Sequence, residues 1–284
     1  MTAGLTDLTA LLKLDQVDEL IFESLPADYP LPRVFGGQVV GLAVAASART
    51  VPLDWSMHSV QSQFLRPGRA GQVIRFVVTR TRDGASFASR SIDAYQSDKL
   101  IFTARASFHR AENGFDHQMP APSAPAPDTV PSVVDLYHAE PGLWPEFYLE
   151  WGPLDIRIVP DTDVPAIPTS TGIGSRGLTW MRANKVAGGE AYMHRALLAC
   201  ISDLLILPES FRPHGVPSSH PGVHSASLDH CVWFHRDFRV DEWLLYDRMS
   251  PSAHGGLGFC RGEFFDSDGV HVASVVQEGL IRPV

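Results

Sequence analysis

The stretch Arg33-Val-Phe-Gly-Gly-Gln-Val-Val-Gly-Leu-Ala-Val-Ala-Ala-Ser-Ala-Arg49 decides the fold of this chain. After the pair Gly36-Gly37, residues Gln38 to Arg49 predict a helix that is apolar or small on nearly every face. A helix of that kind must be buried on all sides. Its many Ala and Gly residues allow another layer to wrap closely about it, so we expect a central helix enclosed by a sheet.

The segments around this helix predict the enclosing sheet. Turn signals such as Arg66-Pro-Gly68 and Asp83-Gly84 separate runs of β-forming residues, and short turns indicate antiparallel neighbours. Before the helix, apolar residues at helical spacing from Leu8 to Phe22 predict a separate amphipathic helix. The predicted strands are Ser56–Leu65, Gln72–Thr81, Ser86–Tyr95 and Leu100–Phe108.

The second half of the chain repeats this order. A mostly apolar helix is predicted from Glu190 to Leu207, again after a Gly pair, and strand-like runs follow it. Phe64-Leu-Arg66 and Phe234-His-Arg236 close the first strand of each half, which indicates an internal duplication. The predicted strands of this half are Ser227–His235, Trp243–Met249, Gly256–Phe265 and Val270–Gly279.

A proline-rich segment, residues 120–131, divides the two copies. Repeated prolines remove backbone donors and hold a chain extended, as in linkers. We therefore predict an N-terminal unit of residues 1–119 and a C-terminal unit of residues 132–284 that includes an N-terminal extension. The length of 284 residues suits two ordinary domains.

Composition narrows the class of protein. A formal net charge of −9 argues against a general nucleic-acid binder, which needs a basic footprint. The three cysteines form no CxxC pair, so a reducing, cytoplasmic location is expected. The longest strongly apolar stretch, Val39 to Ala48, is far shorter than the roughly 20 residues that span a bilayer. We therefore expect no integral membrane segment.

A set of motifs in a fixed order resembles the acyl-CoA thioesterase II family, the TesB-type enzymes. The matching stretches are Arg33–Gly41, Phe64–Gly68, Arg82–Phe87, Ala199–Leu207, Ser227–Arg236, Arg261–Phe264 and Val276–Gly279. The resemblance implies an α+β double hotdog, in which each of two tandem units wraps an antiparallel sheet around a central helix. It also implies hydrolysis of acyl-CoA to a free fatty acid and CoA, with no cofactor.

The resemblance further implies an Asp, Thr or Ser, and Gln constellation that activates water. In this chain it falls on Asp203, Ser227 and Gln277, with Ser227 where some relatives have Thr. An ionised carboxylate amid the apolar residues around Asp203 is costly to bury without a compensating role. Asp203 could serve as a base toward water, held in place by the other two groups. The alternative is that Asp203 only caps or kinks a last helical turn.

The oxyanion of the reaction needs hydrogen-bond donors, and backbone N–H groups at a helix N-terminus can supply them. Gly37 and Gln38, at the start of the first central helix, are the candidates, unless the glycines merely permit the turn. Arg66 and Arg236 occupy equivalent places in the two halves and are candidates for binding CoA phosphates, although such arginines also form solvated sheet faces.

Other readings of the sequence are weaker. Histidines crowd the last quarter of the chain, but none has the spacing of a zinc site, so no metal is expected.

The main alternative function is a catalytically silent acyl-CoA-binding protein on the same fold, and a hydroxyacyl-CoA dehydratase is a third. Trp144, Phe147, Tyr148 and Trp151 either cover the acyl tunnel or pack the linker. Hotdog sheets leave exposed edges, so homo-oligomers are also predicted.

Overall fold

The computed structural model describes residues 8–26, 33–139, 151, 153–165, 167–172, 174–184, 186, 190–217, 220 and 222–283. The helices within them are α1 (Gly36–Ala48), α2 (Val133–Ala139) and α3 (Ala191–Ile201). The strands are β1 (Leu14–Asp18), β2 (Ile21–Ser24), β3 (Trp55–Phe64), β4 (Arg75–Asp83), β5 (Phe87–Gln96), β6 (Lys99–Arg110), β7 (Leu154–Ile158), β8 (Arg176–Ala183), β9 (Val223–Ser227), β10 (Asp229–Phe234), β11 (Leu244–His254), β12 (Leu257–Asp266) and β13 (His271–Pro283).

These strands form one antiparallel sheet in the order β1-β2-β4-β5-β6-β3-β10-β13-β12-β11-β8-β7, with β9 paired to the end of β13. The two halves of the chain join where β3 pairs with β10, in the register Gln63 to Asp229 and Ser59 to Trp233. The eight predicted strands correspond to β3–β6 and β9–β13. The predicted run Ser227–His235 covers the end of β9 and all of β10, because the chain passes from one strand to the next at Leu228.

Helices α1 and α3 pack against each other in antiparallel directions inside this sheet. A Cβ atom on Gly37 would lie 2.1 Å from the carbonyl oxygen of Cys200, and one on Gly41 would lie 2.8 Å from that of Ala196. Residues four apart lie on the same helix face, so two glycines of α1 meet one turn of α3 backbone. Eleven of the thirteen residues of α1 are buried, as the sequence predicts.

The prediction of a helix from Leu8 to Phe22 is wrong. Residues Leu8–Leu12 form a 3-10 helix, and the rest forms the hairpin of β1 and β2. The Asp18 carboxylate accepts a hydrogen bond from the Glu19 backbone N–H at the turn, at 2.7 Å. Strand β2 adds to the sheet through β4, with Phe22 and Ser24 facing the core, so sheet pairing overrides a weak helical preference.

The predicted helix from Glu190 to Leu207 is shorter in the structure and ends at Ile201. The Ser202 carbonyl, which would accept from residue 206 in a longer helix, accepts instead from the Tyr246 hydroxyl at 2.9 Å. The Ser202 hydroxyl bonds the Ala199 carbonyl at 3.0 Å, a local bond that competes with helical bonding. Asp203 therefore follows the end of α3 and is not part of it.

Candidate active site

Asp203 lies where the end of α3 meets the beginning of α1. A Cβ atom on Gly36 would be 2.9 Å from Asp203 Oδ2, so the carboxylate lies directly against the first residue of α1. The Asp203 side chain is buried, and its Oδ1 atom has no hydrogen-bond partner among the described residues. The positive end of the α1 dipole favours a carboxylate at this place. The remaining lone pairs of Oδ1 can accept a hydrogen bond from water.

The first turn of α1 offers backbone donors beside this carboxylate. The Gln38 N–H bonds the Phe35 carbonyl at 3.1 Å, and the Gln38 side-chain amide bonds the Leu11 carbonyl at 3.0 Å. Gln38 therefore uses its backbone N–H and one of its side-chain N–H groups inside the fold. The N–H groups of a first helical turn have no carbonyl partner within the helix, so those of Gly36 and Gly37 are better placed to meet an oxyanion than that of Gln38.

Ser227 and Gln277 are brought together by the sheet. Ser227 ends β9 and is paired in register with Gly279 of β13, two residues beyond Gln277. The Gln277 Nε2 amide donates to the Ser227 hydroxyl at 2.8 Å. Gln277 is fully buried, whereas Ser227 is half-buried at the edge of a cleft.

His230 was not predicted from the sequence as a site residue, but it is hydrogen-bonded to Gln277. Its Nδ1 atom bonds Gln277 Oε1, and its Nε2 atom bonds the Ser202 hydroxyl at 2.9 Å. The ring is fully buried on β10. It therefore joins Gln277 to the residue that precedes Asp203. The position of His230 in the motif Ser227-Leu-Asp-His was the available signal, but a histidine in a strand more often only satisfies a core contact.

A cleft of about 330 Å³ opens at this end of the helix pair. Gly36 and Ser227 line it, together with the aromatic ring of Phe64 and the side chains of Arg33 and Arg66. Both arginines are exposed, and Arg66 also donates to the Leu100 carbonyl at 2.6 Å. Arg33, directly before the Val-Phe-Gly-Gly motif, was not predicted from the sequence as a binding residue.

The structure does not bring Arg236 to this cleft. Arg66 follows β3 and Arg236 follows β10, and these strands are antiparallel, so the two arginines lie at opposite ends of the pair. Arg236 donates to the carboxylate of Asp116 and to the His271 carbonyl, the latter at 2.9 Å. Its guanidinium thus holds the segment before the proline-rich linker against the sheet.

Among the residues that the structure describes, one group of three side chains could hold a metal ion. The donor atoms of His235, Glu263 and His271 lie within 4.8 Å of one another. The Ser274 hydroxyl contacts all three groups, donating to Glu263 and lying 2.8 Å from His235 Nε2. Hydrogen bonds therefore already satisfy these groups, and the cluster is separate from the network of Ser227 and Gln277.

Of the four aromatic residues predicted to cover a tunnel or pack the linker, Trp144, Phe147 and Tyr148 lie outside the described residues. Trp151 is buried, and its ring meets that of Phe35 edge to face with centroids 5.3 Å apart. Phe35 directly precedes α1, so Trp151 packs against the beginning of that helix.

Comparison with known proteins assigns the chain to a family. Residues 25–109 match the family described as "Acyl-CoA thioesterase N-terminal domain", and residues 171–280 match "Acyl-CoA thioesterase". The chain is 35% identical to human acyl-coenzyme A thioesterase 8, over 96% of this chain and 88% of that protein. The chain belongs to the acyl-CoA thioesterase family. It is therefore an acyl-CoA thioesterase, a hydrolase, as its motifs predict.

Further relatives and solved structures of other proteins resemble this thioesterase. Acyl-CoA thioesterase 2 of Haemophilus influenzae is 33% identical over 99% of each chain. The crystal structure of the acyl-CoA thioesterase II TesB2 from Mycobacterium marinum superposes with a TM-score of 0.84, at 36% identity over 98% of each chain. A hot dog protein from Alicyclobacillus acidocaldarius, 18% identical with a TM-score of 0.75 over 98% of each chain, shares the fold. The predicted α+β double hotdog is thus confirmed.

One further property of the thioesterase concerns membranes. No helix within the described part of the chain is both long enough and apolar enough to cross a bilayer.

Proposed function

We propose that this thioesterase cleaves acyl-CoA by direct attack of a water molecule that Asp203 activates. The observation that carries the proposal is the placement of the Asp203 carboxylate, which is buried against Gly36 with an Oδ1 atom that has no partner among the described residues. Leaving a buried charged oxygen unpaired costs about 1–3 kcal/mol or more. This cost supports the proposal, because a water molecule bound to Oδ1 would both satisfy the carboxylate and be ready to give up a proton to it.

In the proposed reaction, Asp203 takes a proton from water while the water oxygen bonds to the thioester carbon. Ser227, held by the Gln277 amide, orients that water. The carbonyl oxygen becomes an oxyanion and accepts from the N–H groups at the beginning of α1, Gly37 first among them. The carbon–sulfur bond then breaks, and the CoA thiolate receives the proton that Asp203 carries. The products are a free fatty acid and CoA.

We assign CoA phosphate binding to Arg33 and Arg66, because both line the cleft that Ser227 and Gly36 share. Guanidinium groups bind phosphates with two parallel hydrogen bonds. Arg236, predicted for the same role, is already bound to Asp116 at the far end of the strand pair and is left out of this proposal.

The division into residues 1–119, 120–131 and 132–284 and the assembly into homo-oligomers stay predictions. A cytoplasmic location is proposed because Cys200, Cys231 and Cys260 are all free thiols, as expected in a reducing compartment. A yeast relative, 24% identical over 87% of this chain and 85% of its own length, is named as peroxisomal, and fractionation of cells would distinguish the two locations.

Thiol release from acyl-CoA, followed with a thiol reagent, tests the mechanism. Asp203→Asn and Gln277→Ala should each lower kcat at least about 100-fold while circular dichroism shows an intact fold. Asp268→Asn, an exposed carboxylate in the turn before β13, is the matched control and should turn over normally. Near-normal hydrolysis by both test variants would exclude the assignment.

A further inference from the structure

A continuous line of hydrogen bonds runs from the end of α3 to the cleft. The Ser202 hydroxyl lies 2.9 Å from His230 Nε2, His230 Nδ1 bonds Gln277 Oε1, and Gln277 Nε2 donates to Ser227 at 2.8 Å. Ser202, His230 and Gln277 are each fully buried, and only Ser227 reaches the cleft. The line therefore connects the interior to a hydroxyl that lies in the cleft.

The position of one proton on His230 sets the direction of the whole line. With the proton on Nδ1, the ring donates to Gln277 Oε1, and Nε2 accepts from the Ser202 hydroxyl, whose one proton is shared with the Ala199 carbonyl at 3.0 Å. The Gln277 amide nitrogen then faces Ser227 and donates to it, so the Ser227 proton is free to donate to water.

With the proton on Nε2, a lone pair of Nδ1 would face the lone pairs of Gln277 Oε1. The amide would have to turn over to relieve this repulsion. Its carbonyl oxygen would then take the only Ser227 proton. Ser227 could no longer donate to the water that Asp203 activates.

We propose that His230, protonated on Nδ1, is a positioning residue that fixes the orientation of the Gln277 amide and, through it, the direction of the Ser227 hydroxyl. The inference rests on the function proposed for Gln277 and Ser227. His230 does not line the cleft, so it acts through these two residues and not on the substrate.

The His230 ring also helps to fix the position of Asp203. Ser202 is held at its hydroxyl by His230 and at its carbonyl by Tyr246, whose ring stacks on Phe264 with centroids 3.9 Å apart. Asp203 is the next residue along the chain. One buried imidazole therefore fixes the amide of Gln277 and the backbone that carries the base.

A pair of variants separates positioning from simple packing. The side-chain amide of His230→Asn can occupy the place of Nδ1–H and donate to Gln277, whereas His230→Leu fills similar space and cannot donate. We expect His230→Asn to keep kcat within about tenfold of the wild type and His230→Leu to lower it about 100-fold. KM for acyl-CoA should change by less than about threefold in both, because substrate contacts are intact.

A matched control uses His58, a half-buried histidine on the neighbouring strand β3 that bonds the Ser107 hydroxyl at 2.8 Å outside the cleft. His58→Asn and His58→Leu should show equal, near wild-type kcat. Equal kcat for the two His230 variants would overturn the inference, because a packing role does not distinguish a donor from a hydrocarbon.

A spectroscopic measurement gives an answer that does not depend on activity. Protein labelled with 15N in histidine, compared with His230→Asn to assign the ring, should show a protonated Nδ1 and an unprotonated Nε2 for His230. A protonated Nε2 would overturn the inference. If His230→Leu turned over normally and Gln277→Ala turned over slowly, only the inference about His230 would be overturned. If both variants turned over normally, the function proposed for Gln277 and Ser227 would be excluded as well.

Discussion

Gly36 and Asp203 are in direct contact, since any Cβ atom at residue 36 would approach Asp203 Oδ2 to 2.9 Å. The absence of a side chain at the first residue of α1 lets the carboxylate lie against the helix. Gly36→Ala should therefore push the carboxylate away and lower kcat about 10-fold to 100-fold. A steady-state thiol-release assay measures this effect.

The control for Gly36→Ala is Gly114→Ala, at a glycine where an added Cβ meets nothing within 4 Å. Gly114→Ala should leave kcat unchanged. Stability should fall little in Gly36→Ala, since the Asp203 side chain can turn away. Unchanged kcat in Gly36→Ala would show that the contact does not set the position of the base.

Gly37→Ala should lower the free energy of unfolding. Its added methyl would lie 2.1 Å from the Cys200 carbonyl oxygen, and a backbone atom cannot rotate away as a side chain can. Helices α1 and α3 would have to separate, at a cost of about 1–3 kcal/mol or more. Urea unfolding of Gly37→Ala and Gly114→Ala measures the difference. Equal midpoints would contradict the close helix packing.

Two substitutions at Ser227 distinguish the contribution of its hydroxyl to kcat from that of the rest of the side chain. Ser227→Ala leaves the Gln277 Nε2 donor without its acceptor and should lower kcat by about 10-fold to 100-fold. Ser227→Thr keeps the hydroxyl and adds one methyl, so it should remain within about tenfold of the wild type, with χ1 more restricted. If kcat of Ser227→Thr were lower than kcat of Ser227→Ala, a role for the hydroxyl would be excluded.

The cysteines should take no part in the reaction, and the buried ones should resist alkylation. Burial raises the pKa of the Cys260 thiol to about 12 and raises the pKa of Cys200 and, less strongly, that of Cys231. Thiolates are the reactive form, so iodoacetamide at pH 7.5 should leave turnover intact. Peptide mass spectrometry should find Cys200 and Cys260 unmodified until the protein is unfolded. Loss of activity in step with alkylation of either residue would indicate a thiol nucleophile.

The sequence predicts those parts of the site that depend on local pattern. Gly pairs before apolar helices locate α1, and ordered motifs locate Asp203, Ser227 and Gln277. The contact of Asp203 with Gly36 follows from the antiparallel packing of α1 and α3, which a single sequence only suggests. One misplaced element shows the limit: Leu8–Phe22 has helical spacing, yet pairing with β4 makes most of it a hairpin.

The motif Ser227-Leu-Asp-His marks His230 only weakly, and the rest of its role cannot be predicted from its neighbours in sequence. Its role depends on Gln277 and Ser202, which come from another strand and from a helix end, and on which ring nitrogen faces each of them. Arg66 and Arg236 illustrate the reverse case. Their equivalent positions in the two halves suggested a joint role, but antiparallel pairing of β3 and β10 separates them.

The most direct test of water attack assisted by Asp203 is a single turnover in H2(18)O with enzyme in excess over acyl-CoA. The wild type should place one 18O atom in the fatty acid and none in the peptide that contains Asp203, and Asp203→Asn should release the product at least about 100-fold more slowly. An 18O atom in Asp203, with an unlabelled fatty acid, would show that the carboxylate attacks the thioester itself and would contradict its role as a base.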